Sequence, residues 1–369
     1  MESVDGGEAH QRDGVLGQAY LAAAAAGNME ALSAALDAGV DVSYQDPATG
    51  MSALMKAADG AHAPALAALL QAGCPWNLQD HEGYTAGEYG MHAPEVLDML
   101  VGWGVEAELV LGDPARTAAG GSGNQPAAES SSGAQSSEAY LQQRLVYSED
   151  GTKLLDADGE AVMMGWEGPL MRHHAELICG PGGRDVMNVG FGLGLVDEYI
   201  QSHSPRTHII IEAHPDVYAH ALAKGWGTRP GVRLMFGRWQ EVLPQLLAEG
   251  VQLDGVFWDT YAEYYADMRG FHDALPRLMR PGGIYSFFNG LAPDNIFFHM
   301  VYSRLVQLEL SKLGFATTYA PIKIEEALAP EVWAGVKNKY WHFSTYFLPE
   351  CTLAGAAPAA APAAAAAGQ

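Results

Sequence analysis

Basic residues are scarce in this chain of 369 residues. It contains 20 Lys and Arg against 44 Asp and Glu, and its formal net charge is −24. Such a charge repels phosphate backbones and anionic lipid surfaces, so we expect no direct binding to nucleic acid or membranes. The charge instead favours a basic protein as the partner.

Cysteines are few, and long apolar runs are missing. Cys74, Cys179 and Cys351 form an odd set without metal or redox spacing, which argues against an extracellular fold built on disulfides. The first residues are polar and acidic, and no stretch of about 18 apolar residues occurs, so we expect neither a signal peptide nor a membrane span. These features predict a cytoplasmic and/or nuclear protein.

Composition changes along the chain predict its division into domains. Gly, Ser, Ala, Gln and Pro dominate one internal segment, which lacks the large apolar side chains needed to offset its ordering entropy. The expected parts are a disordered N-terminus (1–14), an all-α repeat domain (15–111), a flexible linker (112–138), an α/β domain (139–353) and a disordered Ala/Pro tail (354–369).

The alanine-rich region 15–111 has an internal repeat. Gly50-Met51-Ser52-Ala53 recurs 33 residues later as Gly83-Tyr84-Thr85-Ala86, and this period is typical of ankyrin repeats. Gly39 and Gly73 each follow a helical stretch, as helix termination favours. We therefore expect two to three ankyrin-like units, which usually present a binding surface. A plain helical bundle or a structural cap stays open as an alternative.

Region 139–353 alternates short apolar runs with helical stretches. The runs Asp185–Val189, 208–211, 232–235, Leu253–Trp258 and 284–288 are expected to be strands of a parallel sheet. Two further β-rich runs, 316–324 and 341–348, follow a helix at 295–313 and could form an antiparallel hairpin on the sheet edge. The predicted fold is a Rossmann-like α/β domain preceded by the repeats.

A glycine loop follows the first of these strands. Gly190, Gly192 and Gly194 would let the backbone approach a ligand, and Glu212 ends the next strand about 20 residues later, where an acid can bind both ribose hydroxyls. NAD and S-adenosylmethionine sites share this geometry. The third glycine comes one residue earlier than in G-x-G-x-x-G, which favours S-adenosylmethionine. The Pro281-Gly282-Gly283 turn supports this modestly, and Trp239 is the ring that we expect to stack on adenine.

Two carboxylates lie where a reactive site would open. Asp259 closes the strand Leu253–Trp258, and ligands of α/β sheets bind at the carboxyl ends of strands. Flanked by Trp258 and Tyr261, it is costly to desolvate unless a cation or donors pair with it, although a capping or salt-bridged Asp is the alternative. Glu167 belongs to Trp-Glu-Gly-Pro, which a surface turn would also explain.

Several motifs together resemble guanidinoacetate methyltransferase and its relatives. With the ankyrin-like repeats ahead of them, they look more specifically like the type IV protein arginine methyltransferases. The segments concerned are 162–167 with Met171, 189–192, 199–201, 211–212, 239–241, 259–261 and 292–295. The chain departs from the pattern at Leu193 and Leu195, and Gly168-Pro169 bends the loop after Glu167.

The resemblance implies S-adenosylmethionine as the cofactor, no metal, and monomethylation of the internal (delta) nitrogen of arginine in proteins such as ribosomal proteins. Glu167 and Asp259 would bind the guanidinium by charge-assisted hydrogen bonds, and one of them would accept the released proton. The implied cofactor-binding residues are Tyr140, Met171, Phe191, Gly192, Leu193, Gly194, Leu195, Val196, Glu212, Ala213, His214, Trp239, Gln240 and Asp259.

Two other functions stay open. The first is a small-molecule guanidino methyltransferase with a guanidinoacetate-like acceptor, to which the repeats are merely attached. The second is an ankyrin-based binding protein whose methyltransferase domain has lost activity. The presence of Glu167, Glu212 and Asp259 argues against this second alternative.

Overall fold

A computed structural model describes residues 5–111, 137–263 and 265–355, which form two compact units. The first unit contains the described residues up to 111 together with 291–305, and the second contains 137–290 and 306–355. The predicted linker 112–138 and tail 354–369 lie outside the described residues, apart from residues 137–138 and 354–355.

Helices of the first unit follow one another in pairs. They are α1 Asp5–Ala25 with α2 Met29–Asp37, α3 Ala53–Asp59 with α4 Ala63–Gln71, and α5 Ala86–Gly90 with α6 Pro94–Leu111. The first helices of the pairs contact one another in the order α1–α3–α5, and the second helices in the order α2–α4–α6. Ser52 and Thr85 cap α3 and α5 and are 33 residues apart, as the repeat predicted.

One boundary differs from the prediction. We expected residues 1–14 to be disordered, whereas α1 already begins at Asp5. Glu8, Ala9, Gln11 and Arg12 are good helix formers, and their propensity extends the helix towards the N-terminus.

A late segment of the chain completes the first unit. Residues 291–305 contain the first part of helix α14 (Ile296–Lys312). The ring of Phe297 is fully buried and lies edge to face with Trp76 at 5.8 Å between centroids. Gly87 of α5 is essential to this packing, because a Cβ there would stand 2.0 Å from Cγ of Phe297.

The second unit contains a seven-stranded sheet, and a small three-stranded sheet precedes it in the sequence. The small sheet has the order β1-β2-β3, and the large one has the order β6-β5-β4-β7-β8-β10-β9. The strands are β1 Val146–Tyr147, β2 Lys153–Leu155, β3 Ala161–Met164, β4 Asp185–Val189, β5 Thr207–Glu212, β6 Val232–Phe236, β7 Leu253–Trp258, β8 Met279–Phe287, β9 Phe315–Lys323 and β10 Thr345–Leu353. The remaining helices are α7 Ser137–Gln142, α8 Gly168–Cys179, α9 Leu195–Ser202, α10 Pro215–Ala223, α11 Trp239–Ala248, α12 Tyr265–His272 and α13 Leu275–Leu278.

This mostly parallel, Rossmann-like sheet confirms the predicted α/β fold. Strands β4 to β8 pair in parallel, and β10 runs antiparallel to both β8 and β9, which confirms the edge hairpin. Strand β4 lies between β5 and β7, so the strand order reverses there and the carboxyl ends of these strands flank a crevice.

Two strand starts were predicted wrongly. Strand β8 begins at Met279 instead of residue 284. Leu253 of β7 already pairs with Met279, and Gly255 then pairs with Ile284. The Pro-Gly-Gly turn is therefore an irregularity inside the strand. Strand β10 begins at Thr345 instead of residue 341, because the indole N–H of the buried Trp341 donates to the Phe343 carbonyl in the preceding loop.

The three cysteines are all buried and free of disulfides. Among the described helices, none has the length and apolar character that crossing a membrane requires.

Candidate active site

The glycine loop after β4 passes very close to the carboxyl end of β7. Gly190, Gly192 and Gly194 have positive φ values of 94°, 53° and 75°. A Cβ on Gly190 would lie 1.8 Å from the carbonyl oxygen of Asp259, and one on Gly192 would lie 2.5 Å from the sulfur of Met163. Only glycine therefore permits the loop to run between these groups.

A buried polar cluster holds the loop from below. Asn188 Nδ2 donates to the Gly190 carbonyl at 2.7 Å and to both carboxylate oxygens of Asp197 at 3.0 Å. Asp197 also lies 3.1 Å from Nε2 of His208, and both side chains are fully buried. From the other side, the Tyr147 hydroxyl donates to the Gly192 carbonyl at 3.0 Å. The loop is thus fixed before any ligand binds.

Glu212 ends β5 directly beside this loop. Its carboxylate accepts the backbone N–H of Phe191 at 2.8 Å and that of His214 at 2.6 Å. Burial raises the pKa of Glu212 to about 7, although these donors oppose the shift. The side chain is a fixed acceptor at the place where the strand order predicts a ribose.

A cavity opens at the carboxyl ends of β4, β5 and β7. The space between its lining atoms is about 760 Å³, a figure that includes open solvent at the mouth. Helix α7 contributes Tyr140, whose ring lies 5.0 Å from that of His214 and 4.9 Å from that of Tyr261. The predicted residues that line the cavity are Tyr140, Gly192, Glu212, Ala213, His214, Trp239 and Asp259.

Trp239 and Glu263 form another part of the cavity wall. The indole N–H of Trp239 lies 2.9 and 3.0 Å from the two oxygens of Glu263, and the Gln240 amide donates to the same carboxylate at 3.1 Å. The Trp239 ring is held edge to face against Phe271 at 5.4 Å. An aromatic ring is therefore fixed in place in the cavity wall.

These residues fit S-adenosylmethionine. The glycine loop packs closely against Asp259 and Met163 and borders the cavity with its backbone at Gly190 and Gly192. Glu212 can accept ribose hydroxyls, and Trp239 can contact the adenine ring. Tyr140 and His214 lie on the same cavity wall and would cover the bound molecule.

Glu167 and Asp259 form a pair of interacting carboxylates. Glu167 is 3% exposed and accepts the backbone N–H of Met164 at 2.8 Å and the hydroxyl of Tyr340. Asp259 is only partly buried because it lines the cavity, and no donor to its carboxylate occurs within the described part of the chain. Burial and the repulsion between the two acids raise the pKa of Glu167, and burial raises that of Asp259.

Other predicted residues lie away from the cavity wall. Met171 is fully buried in the core on α8, and Val196 and the Phe191 side chain are also buried, with the Phe191 ring against Trp226. Gln240 is exposed and turned to Glu263. Leu193, Gly194 and Leu195 belong to the loop but do not line the cavity, and neither does Glu167. Phe191 still contributes its backbone N–H to Glu212.

Sequence reasoning missed several site residues. Tyr340 is 173 positions from Glu167, and Glu263 follows Trp239 by 24 positions, so no local pattern connects them. Glu263 comes four residues after Asp259, and this closeness to a predicted site residue was the one available signal. His174 is buried and bonded to Ser286 and Tyr346.

The sheet order, the glycine loop and the acid at the end of β5 define a Rossmann-like nucleotide site, and comparison with known proteins identifies the class as methyltransferases. A family model described as guanidinoacetate N-methyltransferase matches residues 129–326. The chain is 36% identical over 324 residues to protein arginine N-methyltransferase 2 of Aspergillus fumigatus, an alignment that covers 77% of this chain and 76% of the relative. It is 34% identical over 333 residues to the protein of that name from Cryptococcus neoformans, with 83% and 86% covered.

The chain therefore belongs to the protein arginine N-methyltransferase 2 family. A further relative of the same name, from Yarrowia lipolytica, is 39% identical over 222 residues, and this alignment covers 58% of the chain but only 47% of the relative. The chain thus aligns with about half the length of that protein.

Proposed function

We propose that this protein is an S-adenosylmethionine-dependent arginine N-methyltransferase. The observation that carries the proposal concerns Asp259, which lines the cavity and whose carboxylate has no hydrogen-bond donor among the described residues. It also interacts with the buried Glu167. The charge of Asp259 helps to raise the pKa of Glu167, and two neighbouring carboxylates favour a cation that can pair with both. A guanidinium is planar and offers donors to two carboxylates at once, so it satisfies this requirement better than an ammonium group.

The side chains suggest how the reaction proceeds. Glu167 and Asp259 bind the guanidinium through charge-assisted hydrogen bonds and draw its positive charge towards the bonded nitrogens. The remaining nitrogen is then left facing the cavity, close to the glycine loop. Bound S-adenosylmethionine supplies an electrophilic methyl group on sulfur. One of the two carboxylates accepts the proton that the nitrogen loses.

The finer assignment is monomethylation of the internal (delta) nitrogen of arginine in a basic protein such as a ribosomal protein. Names of the relatives support a protein acceptor. Residues 15–111 contain twelve acidic residues and a single basic residue, Lys56, which would attract a basic partner. We assign the helix pairs of this region to ankyrin-type repeats with a role in substrate capture, and we place the protein in the cytoplasm or nucleus.

A labelling experiment tests this proposal. The protein is incubated with methyl-labelled S-adenosylmethionine and either ribosomal proteins or guanidinoacetate, beside the variants Glu167→Gln and Asp259→Asn. We expect label in the proteins and a loss of at least about 100-fold in either variant, since each removes a charge from the guanidinium site. Fragmentation mass spectrometry should place the methyl group on the internal nitrogen. Label on a terminal nitrogen would refute the finer assignment, and label in neither acceptor would refute the activity.

A small guanidino compound is the second candidate acceptor. The description of the matching family model favours it. Label in guanidinoacetate but not in ribosomal proteins would establish this alternative.

A further inference from the structure

The loop between β9 and β10 supplies the one side-chain donor that reaches Glu167 within the described residues. This loop spans residues 324–344, and the hydroxyl of Tyr340 donates to Oε1 of Glu167. The same oxygen accepts the Met164 backbone N–H, so Oε1 is held from two directions. Burial and the neighbouring carboxylate raise the pKa of Tyr340 well above its usual range, which keeps the hydroxyl protonated as a donor.

Tyr340 belongs to a cluster of aromatic rings that we call the aromatic wall. Trp166 lies at its centre, with ring centroids 6.0 Å from Trp333, 5.9 Å from Tyr340 and 6.2 Å from Trp341. Trp333 and Tyr340 meet edge to face at 4.9 Å. Trp166 directly precedes Glu167, so the wall stands beside the buried carboxylate. Aromatic faces attract guanidinium groups, and their edges exclude water from an ion pair.

The loop is fixed to the β2–β3 region of the same unit. The backbone N–H of Lys337 donates to the Gly159 carbonyl at 2.9 Å, and the Lys153 ammonium donates to the Ala334 carbonyl. Lys337 also pairs with Glu160 at 3.3 Å. Because several bonds hold the loop, Tyr340 is kept at Glu167 by more than its own hydrogen bond.

We propose that Tyr340 is a positioning residue of the acceptor site, because it holds Glu167 in the orientation that binds a guanidinium. The aromatic wall closes the outer side of that site. The inference rests on the proposed function, because it assumes a guanidino acceptor. It gives the β9–β10 loop a role in acceptor recognition that is separate from cofactor binding.

The groups around Glu167 determine how its charge responds to pH. Asp259 faces it from the end of β7, Tyr340 from the loop, and Tyr346 interacts with both acids from β10. His174 of α8 lies 2.9 Å from the Tyr346 hydroxyl and stays neutral, because burial lowers its pKa to about 3. The Tyr340 hydrogen bond stabilises the ionised form of Glu167, so its removal raises the pKa of Glu167 further.

Binding of an arginine probe tests the inference. N-acetylarginine amide is titrated into the full-length protein saturated with S-adenosylhomocysteine, for the wild type and Tyr340→Phe, between pH 5.5 and 9. We expect binding to weaken about tenfold in the variant, as for the loss of one hydrogen bond to a charged group. Probe binding is lost below a midpoint pH, and this midpoint should be higher in the variant by about 0.5–1 pH unit. Affinity for S-adenosylhomocysteine should not change.

Two further variants separate positioning from general damage. Tyr89→Phe removes another tyrosine–carboxylate bond, from Tyr89 to Asp80 at 2.6 Å in the first unit, and should leave probe binding unchanged. Trp333→Phe alters the aromatic wall but keeps the Tyr340 hydroxyl, so it should weaken probe binding without moving the pH midpoint. This variant also tests the wall if Tyr340→Phe does not fold.

The possible results distinguish this inference from the proposed function. Unchanged probe affinity and an unchanged pH midpoint in Tyr340→Phe would overturn the positioning role of Tyr340. Unchanged probe affinity in Trp333→Phe would overturn the role of the aromatic wall. A wild type that binds the probe but methylates neither ribosomal proteins nor guanidinoacetate would instead refute the activity and leave the positioning result standing.

Discussion

At the residue scale, Glu167 is maintained at a cost to stability. Its pKa is raised in the folded protein above the ordinary value of 4.5, so the folded state binds a proton more tightly than the unfolded state. The tighter proton binding stabilises the folded protein. This stabilisation is fully present below the pKa that Glu167 has in the unfolded chain, and it is lost as the pH rises through the pKa of Glu167 in the folded protein. Without a bound cation, the folded protein should therefore become less stable as the pH approaches and passes neutrality.

This reasoning predicts the behaviour of Glu167→Gln. Glutamine can still accept from Tyr340 and Met164 but does not ionise, so the variant should melt at a higher temperature than the wild type at pH 8.5 and gain much less at pH 5. We expect a difference of about 1–2 kcal/mol at the higher pH. Differential scanning calorimetry at both values measures it.

Glu176→Gln, on helix α8 that begins directly after Glu167, is the control for that measurement. Glu176 is half-buried and paired with Arg172 at 2.9 Å, and this hydrogen bond lowers its pKa. Its substitution should not stabilise the protein at pH 8.5. An equal gain for Glu167→Gln at pH 5 and pH 8.5 would contradict the burial argument.

At the scale of elements, the glycine loop joins the cofactor cavity to the carboxylate pair. Gly190 lies against the backbone of Asp259, so the position of the glycine loop fixes the position of the carboxyl end of β7. Gly190→Ala must push β4 and β7 apart or distort the loop. We expect it to abolish binding of S-adenosylhomocysteine in calorimetry and to lower the melting temperature.

Gly183→Ala is the matched variant for this test. Gly183 also has a positive φ, of 69°, but a Cβ there meets nothing within 4 Å. It should cost only the left-handed backbone penalty of about 1–2 kcal/mol and preserve cofactor binding. Comparable loss of binding in both variants would show that conformation, not the close approach to Asp259, is the cause.

Local patterns predicted elements well and long-range contacts poorly. Strands β4 and β7 were predicted at their observed bounds, because their short runs alternate with helical stretches and β4 leads directly into the glycine loop. Glu212 was found through its distance from the glycine loop. Met171 was placed at the cofactor by resemblance, yet it faces the core. Tyr340 could not be found, since its partner is set by how the β9–β10 loop folds back on β2–β3.

At the scale of the whole molecule, the helix pairs of the first unit are completed by residues 291–305, which follow strands β4 to β8 in the sequence. Gly87→Ala should therefore lower the free energy of unfolding by about 1–3 kcal/mol, because its methyl group would overlap Phe297. Gly102→Ala, on the exposed side of α6 with nothing within 4 Å, should instead stabilise the protein by up to about 1 kcal/mol. Urea unfolding compares the two, and stabilisation by both would show that Phe297 does not pack on Gly87.

The packing of Phe297 in the first unit also bears on how the protein is made. Domains usually fold as units while the chain emerges from the ribosome, beginning at the N-terminus. Here helices α1 to α6 leave the ribosome before the second unit, but Trp76 and Gly87 must wait for residues 291–305, which are translated after strands β4 to β8. A nascent chain that stops before this segment exposes an unfinished apolar surface, so the N-terminal unit can close only when most of the catalytic domain already exists.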